Sequence, residues 1–321
     1  MKIHLSNSAW IHNMESFIKS FDTSDESILE ITSHPKWVSA HPVVLCMITA
    51  LALFMRDSGA RINFEPMEAK SKNYFVRMGL YKILGMNPGT KIKNKDSTGR
   101  FIPLRRITNY EELTDFIQEV IPLYHLDKKH FKPINLVISE LVRNVFEHSG
   151  SKYGAIVCAQ YHKDSKIVRI GVVDTGSGLT ETLKLYNPKS HLHSILLALT
   201  PGVTGTTKKI GGYSSENAGA GLFQIRALAK STGNYFMIYS GKGFYKLLKG
   251  KKDKFKIIAD PEEETFTSYN DLPFWHGTVV AIDLCLDDNM NFDSVLDDVW
   301  RVYKMGRKEQ IKKRYKKPTF V

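Results

Sequence analysis

Cysteine is scarce in this chain. Cys46, Cys158 and Cys285 are the three among 321 residues, far apart and without CxxC spacing. That argues against a disulfide framework and against a cysteine-built zinc site, and it fits a reducing compartment. Long apolar runs are lacking too. The longest, residues 43–54, has twelve residues, whereas a bilayer-spanning helix needs about 20, so it reads as a buried helix. The opening MKIHLSNSAW has no apolar core of the signal-peptide type. The expectation is a cytoplasmic protein without a membrane partner. No repeat of the solenoid or propeller kind is visible.

What is present is ordinary globular composition, 42% hydrophobic and 24% charged, which excludes wholesale disorder and collagen-like structure. At about 150 residues per domain the length suggests two domains. The net charge of +12 is uneven, because residues 301–321 hold nine basic side chains against Glu309 and so supply +8 of it. Basicity therefore describes a tail more than a partner. A solvated helix end or docking surface accounts for it, and phosphate-backbone binding is the alternative.

The first hundred residues alternate strand and helix: strands over 27–31 and 61–64, helices over 42–56 and 72–84, the first opening with Pro42. Residues 87–100 read as a linker, followed by a strand over 101–107 and a helix over 111–123. From residue 131 the pattern predicts a helix over 133–149, strands over 154–161 and 166–173, and a helix over 192–199. A Gly/Thr-rich loop, a helix over 221–231 and strands over 235–239, 244–248, 255–258 and 277–284 complete it. The expected architecture is α+β, a mixed sheet with helices on one face. The segment 242–256 reads as a basic hairpin beyond the core.

In the stretch Asn135-Leu-Val-Ile-Ser-Glu140-Leu-Val-Arg-Asn144-Val-Phe-Glu147-His148, helical spacing places Glu140, Asn144, Glu147 and His148 within about a 100° arc. Ile134, Ile138, Leu141, Val142, Val145 and Phe146 lie opposite. Alone, this is equally a surface helix with a solvated polar face. An apolar strand then ends in Asp174-Thr-Gly176-Ser-Gly178. A carboxylate there accepts a hydrogen bond from adenine's amino group and repels guanine's carbonyl, while the glycines let the backbone approach a ligand. Gly219-Ala-Gly221-Leu222 opens a helix whose free N–H groups and positive dipole end suit phosphate, with Lys208 and Lys209 just upstream. Trp275-His-Gly277-Thr278 begins a late strand where a threonine hydroxyl completes the adenine contact.

In this order and spacing, the four elements resemble the GHKL superfamily of gyrase-type ATPases, histidine kinases and MutL, over about residues 135–284. The resemblance implies a Bergerat-type α/β sandwich binding ATP and Mg²⁺. Asn144 is then the Mg²⁺ ligand and Glu140 the acid/base, with His148 beside them. Asp174 is the adenine aspartate backed by Gly176 and Gly178, Gly219 and Gly221 hold phosphates with Leu222 and Lys208 nearby, Thr278 is the last-box threonine, and residues 200–217 are the ATP lid. The Glu140-x-x-x-Asn144-x-x-x-His148 pattern is most similar to bacterial anti-sigma-factor serine kinases. Histidine kinases often carry Asn or His in place of Glu140, and the early His12-Asn13 lacks the acidic neighbour of a phosphoacceptor. Neither GxxxxGK[ST] nor the HRD and DFG motifs occurs.

Val38-Ser39-Ala40 before an apolar helix, with residues 59–64 and Arg77-Met-Gly-Leu80, resembles a STAS domain. In that family a serine at about position 39 accepts phosphate, but Val38 stands where an acidic residue is usual, and Ser39 reads as a helix N-cap before it reads as a phosphoacceptor. The division expected is a STAS-like domain over 1–107, a GHKL domain over 108–290, and a C-terminal helix and tail over 291–321. His191-Leu-His193 has no third ligand and reads as a loop or helix start rather than zinc. Three functions follow: an ATPase or serine/threonine protein kinase, a nucleotide-gated interaction switch, and a nucleic-acid-associated ATPase. A STAS-like protein and a second copy of the chain are the partners the resemblance suggests.

Overall fold

A helix that is apolar on every side must be enclosed, and α2 meets that demand by filling the space between two sheets. The computed structural model describes residues 1–65, 67–68, 70–89, 101–123, 128–205, 219–250 and 256–315. Its N-terminal unit runs β1 (Lys2–Leu5), β2 (Ser8–Ala9), α1 (Met14–Lys19), β3 (Ile28–Ser33), β4 (Ser39–Ala40), α2 (Pro42–Asp57), β5 (Arg61–Phe64), α3 (Lys72–Arg77) and α4 (Leu80–Leu84). Strands β1, β3 and β5 form a parallel sheet in that order. Pro42 takes the first helical position of α2, and the N-cap His41 accepts the Val43 N–H at Nδ1, 3.1 Å away. Gly59 at φ +83° follows the last turn.

The rest comprises β6 (Phe101–Ile107), α5 (Tyr110–Leu123), α6 (Lys128–Asn144) with a π-helical turn over Val145–Ser149, β7 (Ala155–His162), β8 (Ile167–Val173), α7 (Leu179–Thr182) and α8 (His191–Ala198). Then come α9 (Gly221–Ser231), β9 (Phe236–Gly241), β10 (Gly243–Leu247), β11 (Phe266–Tyr269), β12 (Trp275–Cys285) and α10 (Phe292–Tyr315). These strands make a seven-stranded sheet in the order β11-β10-β9-β12-β8-β7-β6.

The sheet is apolar on both faces. Ala155, Val157, Ala159, Val168, Ile170, Val172, Ile238, Val280 and Ile282 face a core shared with α6, α9 and α10. Their alternates Ile156, Cys158, Val173, Met237, Tyr239, Val279 and Ala281 face a second core, which belongs to α2 and the N-terminal sheet. Gly171 permits the approach of α2, since a Cβ there would lie 2.5 Å from the Val43 Cα and 2.7 Å from its nitrogen. Polar links cross the same junction. Lys246 on β10, 2% exposed, donates to both Glu15 carboxylate oxygens at 2.8 and 2.7 Å and to the His12 carbonyl at 2.7 Å. Buried His41 donates from Nε2 to Asp283 Oδ1 at 3.2 Å, and burial holds its pKa below the ordinary histidine value.

Several expectations need correction. The sheet is not mixed: all six pairings within it are antiparallel. The strand at 101–107 pairs with β7 and so stands with the second sheet, beyond the boundary drawn at 107. The segment 243–247 is an interior strand rather than an accessory hairpin. No strand forms at 256–258, and residue 255 lies outside the described residues. The helix expected over 72–84 breaks at Gly79, φ +83°. The N-cap of α2 is His41; Ser39 instead accepts a hydrogen bond from the Trp10 indole at 3.2 Å. Among the described residues no helix is long and apolar enough to cross a membrane.

Placing a methyl group at Gly171 forces α2 off the sheet. Gly171→Ala is expected to lower unfolding free energy by about 1–3 kcal/mol, read as a reduced denaturation midpoint in urea.

Candidate functional site

Helix α6 has an apolar stripe and a polar one. Ile134, Ile138, Leu141 and Val142 are buried under the first, which leaves Glu140 and Asn144 half-buried on the other side, over the strand ends. The backbone widens into the π-helical turn over Val145–Ser149, the kind of local expansion that often marks a functional position. His148 lies within that turn. Its pKa is lowered by burial, against the opposing pull of Glu147.

Between α6, α9 and the ends of β8 and β12 lies a cavity of about 360 Å³. From the expected set, Glu140, Asn144, His148 and Asp174 line it, and so do Gly219, Gly221, Leu222 and Thr278. Gly176 and Gly178 stand behind the wall. Lys208, and residues 206–217 of the expected lid, lie outside the described residues. The base of that segment is closed by Gly202 N–H donating to the Gly219 carbonyl at 3.2 Å, and Val203, Thr204 and Gly205 line the cavity mouth.

Helix α9 begins at Gly221, against Glu140. A Cβ at 221 would lie 2.6 Å from Glu140 Oε2, so a larger residue there would make the carboxylate turn aside. Burial raises the Glu140 pKa, the Arg143 guanidinium 3.6 Å away opposes that shift, and Glu147 adds to it. A carboxyl so placed holds its proton more readily than an exposed one.

Asp174 ends β8, 3% exposed. Its Oδ1 accepts the Gly176 N–H at 2.8 Å and its own N–H donates to the Thr278 carbonyl at 3.0 Å. Burial pushes its pKa up to about 7, against the hydrogen bonds that stabilise the ionised form. Gly176 packs on the end of the π turn: a Cβ there would meet the Ser149 carbonyl oxygen at 2.2 Å, and the Ser177 N–H donates to that oxygen at 2.6 Å.

Two residues that hold this site together were not expected. Ser240 on β9 accepts the Leu179 N–H at 3.0 Å and donates to the Gly277 carbonyl at 2.7 Å, fastening the Asp174–Gly178 loop to the start of β12. A serine inside Phe-Met-Ile-Tyr-Ser-Gly carries no signal beyond its polarity among apolar neighbours. Arg143 bridges Glu140 and Glu147 at 3.6 and 3.5 Å; its place one residue before Asn144 was the available signal. His191 and His193 open α8, capped by Ser190. Among the described residues no group of three His, Cys, Asp or Glu side chains is arranged to hold a metal ion.

Removing the Ser240 hydroxyl strands a partly buried donor and a buried acceptor. Ser240→Ala is expected to cost about 1–3 kcal/mol, measured by chemical denaturation. The chain matches no family model, and a search of curated proteins returns no match.

Proposed function

We propose that the chain is a Mg²⁺- and ATP-binding regulator of the GHKL type, which hydrolyses ATP or transfers its γ-phosphoryl group to a serine or threonine of a protein. The observation that carries this reading is the convergence on one cavity of four separate segments: Glu140 and Asn144, Asp174, Gly219 and Gly221, and Thr278. The apolar walls Leu141, Val172 and Val280 beside Asp174 suit a nucleobase. The bare N-terminus of α9 suits phosphates.

The residues fit a magnesium ion held in part by nucleotide phosphates. The Asn144 amide reaches the cavity with Glu140 close by, and such an ion takes few protein ligands. Bound there, Mg²⁺ would neutralise phosphate charge. The side chains would do the rest. Asp174 accepts the adenine amino hydrogen, the amides at the start of α9 hold phosphate oxygens, and Glu140 aligns the attacking hydroxyl or water. The new O–P bond forms as the β–γ bridging O–P bond breaks, and Glu140 takes the nucleophile's proton. A second reading, a nucleotide-gated interaction switch, draws on the pinned Gly202–Gly219 base beside the cavity mouth. There bound ATP would expose or hide a partner-binding surface, and turnover would be slight.

With γ-labelled ATP and Mg²⁺, Glu140→Ala is expected to lose turnover by at least about 100-fold while retaining ATP binding. Unchanged turnover would remove Glu140 from the mechanism. Label on protein serine or threonine identifies a kinase, free phosphate an ATPase, and bound ATP without either the switch.

The pH dependence follows from Asp174. Its folded pKa of about 7 lies above the ordinary carboxylate value of 3.8, so the empty protein favours the protonated form below neutrality. The adenine contact needs the ionised form. ATP affinity should therefore hold above pH 7 and fall by up to about tenfold per unit below it. Titrations of wild type and Asp174→Asn between pH 5.5 and 8 should show the slope in the first and a weak, flat affinity in the second.

A further inference from the structure

We propose that Trp275 is a positioning residue for base recognition, tying Asp174 to the N-terminal unit so that discrimination of the base depends on how α2 sits against the sheet. This rests on the reading of the cavity as an ATP site. The Trp275 ring is 2% exposed and belongs to the same buried cluster as Leu51 and Met55 of α2. Its single polar atom, the indole N–H, leaves that apolar cluster to donate to the Asp174 main-chain carbonyl at 3.1 Å. A buried indole N–H must find an acceptor, and the one it finds belongs to the residue assigned to the base.

Both main-chain groups of Asp174 are thereby held by β12, the carbonyl by Trp275 and the N–H by Thr278. Between these two anchors the pairing of β12 with β9 shifts register, so residues 276 and 277 bulge toward Asp174. Gly277, at φ +86°, fits only as glycine: a Cβ there would lie 2.4 Å from the Asp174 carbonyl oxygen and 2.5 Å from Oδ1. Phe54 of α2 stacks on His276 with ring centroids 4.8 Å apart and planes at 25°, a second hold on the same bulge. The carboxylate direction is therefore set by the Gly176 N–H that Oδ1 accepts together with this bulge, whose Trp275 and His276 are packed on the N-terminal unit. Hydrogen bonds to a base edge weaken steeply with misalignment, so a small movement of this bulge changes base preference before it changes phosphate binding.

The test uses the full chain and the ratio of affinities for ATP and inosine triphosphate, in which a carbonyl replaces the amino group that Asp174 would accept. Trp275→Phe keeps a ring and removes the N–H. ATP affinity is expected to fall about fivefold, the worth of one hydrogen bond near 1 kcal/mol. Inosine triphosphate affinity should stay nearly constant, so that the ratio narrows. Tyr239→Phe serves as the comparison. It lies in the same cluster, but its hydroxyl donates to the Pro273 carbonyl, and its ratio should remain that of wild type. Phe54→Leu, which loosens the bulge from α2 without touching Asp174, should narrow the ratio by a smaller factor and covers the case in which Trp275→Phe does not fold. Parallel loss of both nucleotides in Trp275→Phe, or an unchanged ratio in both Trp275→Phe and Phe54→Leu, would overturn the proposal. A wild-type protein that binds ATP no better than inosine triphosphate, or binds neither, would remove the reading of Asp174 beneath it as well.

Discussion

An antiparallel sheet with branched and aromatic side chains on both faces is insoluble until both faces are covered, and the molecule is organised by that need. On β7, β8 and β12 each residue facing α6 and α9 alternates with one facing α2. Each buried aliphatic side chain contributes roughly 1.5–3 kcal/mol, so neither cover is dispensable. The amphipathic α6 covers one face and leaves a polar stripe free. The uniformly apolar α2 covers the other and is enclosed in turn by the parallel sheet behind it.

The cavity is a consequence of how the first cover fits. Helices α6 and α9 meet the sheet along their apolar stripes, and space opens at the ends of β8 and β12, where Glu140 and Asn144 of α6 and Gly221 and Leu222 of α9 line it. Glycines then set how near the parts come: Gly176 to the end of the π turn, Gly277 to Asp174. Carboxyl groups predominate within the space, with Glu140, Glu147 and Asp174 lining it beside Arg143 and His148. Burial holds the Glu140 and Asp174 carboxyls above their ordinary pKa values. A ligand bearing an amino donor at one end and cations at the other would relieve both.

What the sequence makes legible is local. Helix α9 begins and ends where Gly221 and Ser231 predict, β5 spans the expected 61–64, and the apolar stripe of α6 is the one its spacing implies. These depend on neighbours within a turn or two. Pairing partners are not local: β6 reads the same as a strand whichever sheet takes it, and an antiparallel sheet has the same alternation wherever its strands attach. Pro133 marks a helix start in sequence, yet α6 begins at Lys128, because tertiary packing of the later turns carries the earlier ones. Ser240 and Trp275 gain their roles from residues 61 and 101 positions away, and no window on the sequence spans such a distance.

The buried Lys246–Glu15 contact joins residues 231 positions apart, and this bears on synthesis. At 5–20 residues per second, roughly 10–50 s separate the emergence of α1 from that of its partner strand. Until β7 and β8 follow, α2, with apolar side chains on all sides, has only half its enclosure. Such a nascent chain exposes a sticky surface for a long time, and the dominance of long-range pairing makes the last step slow.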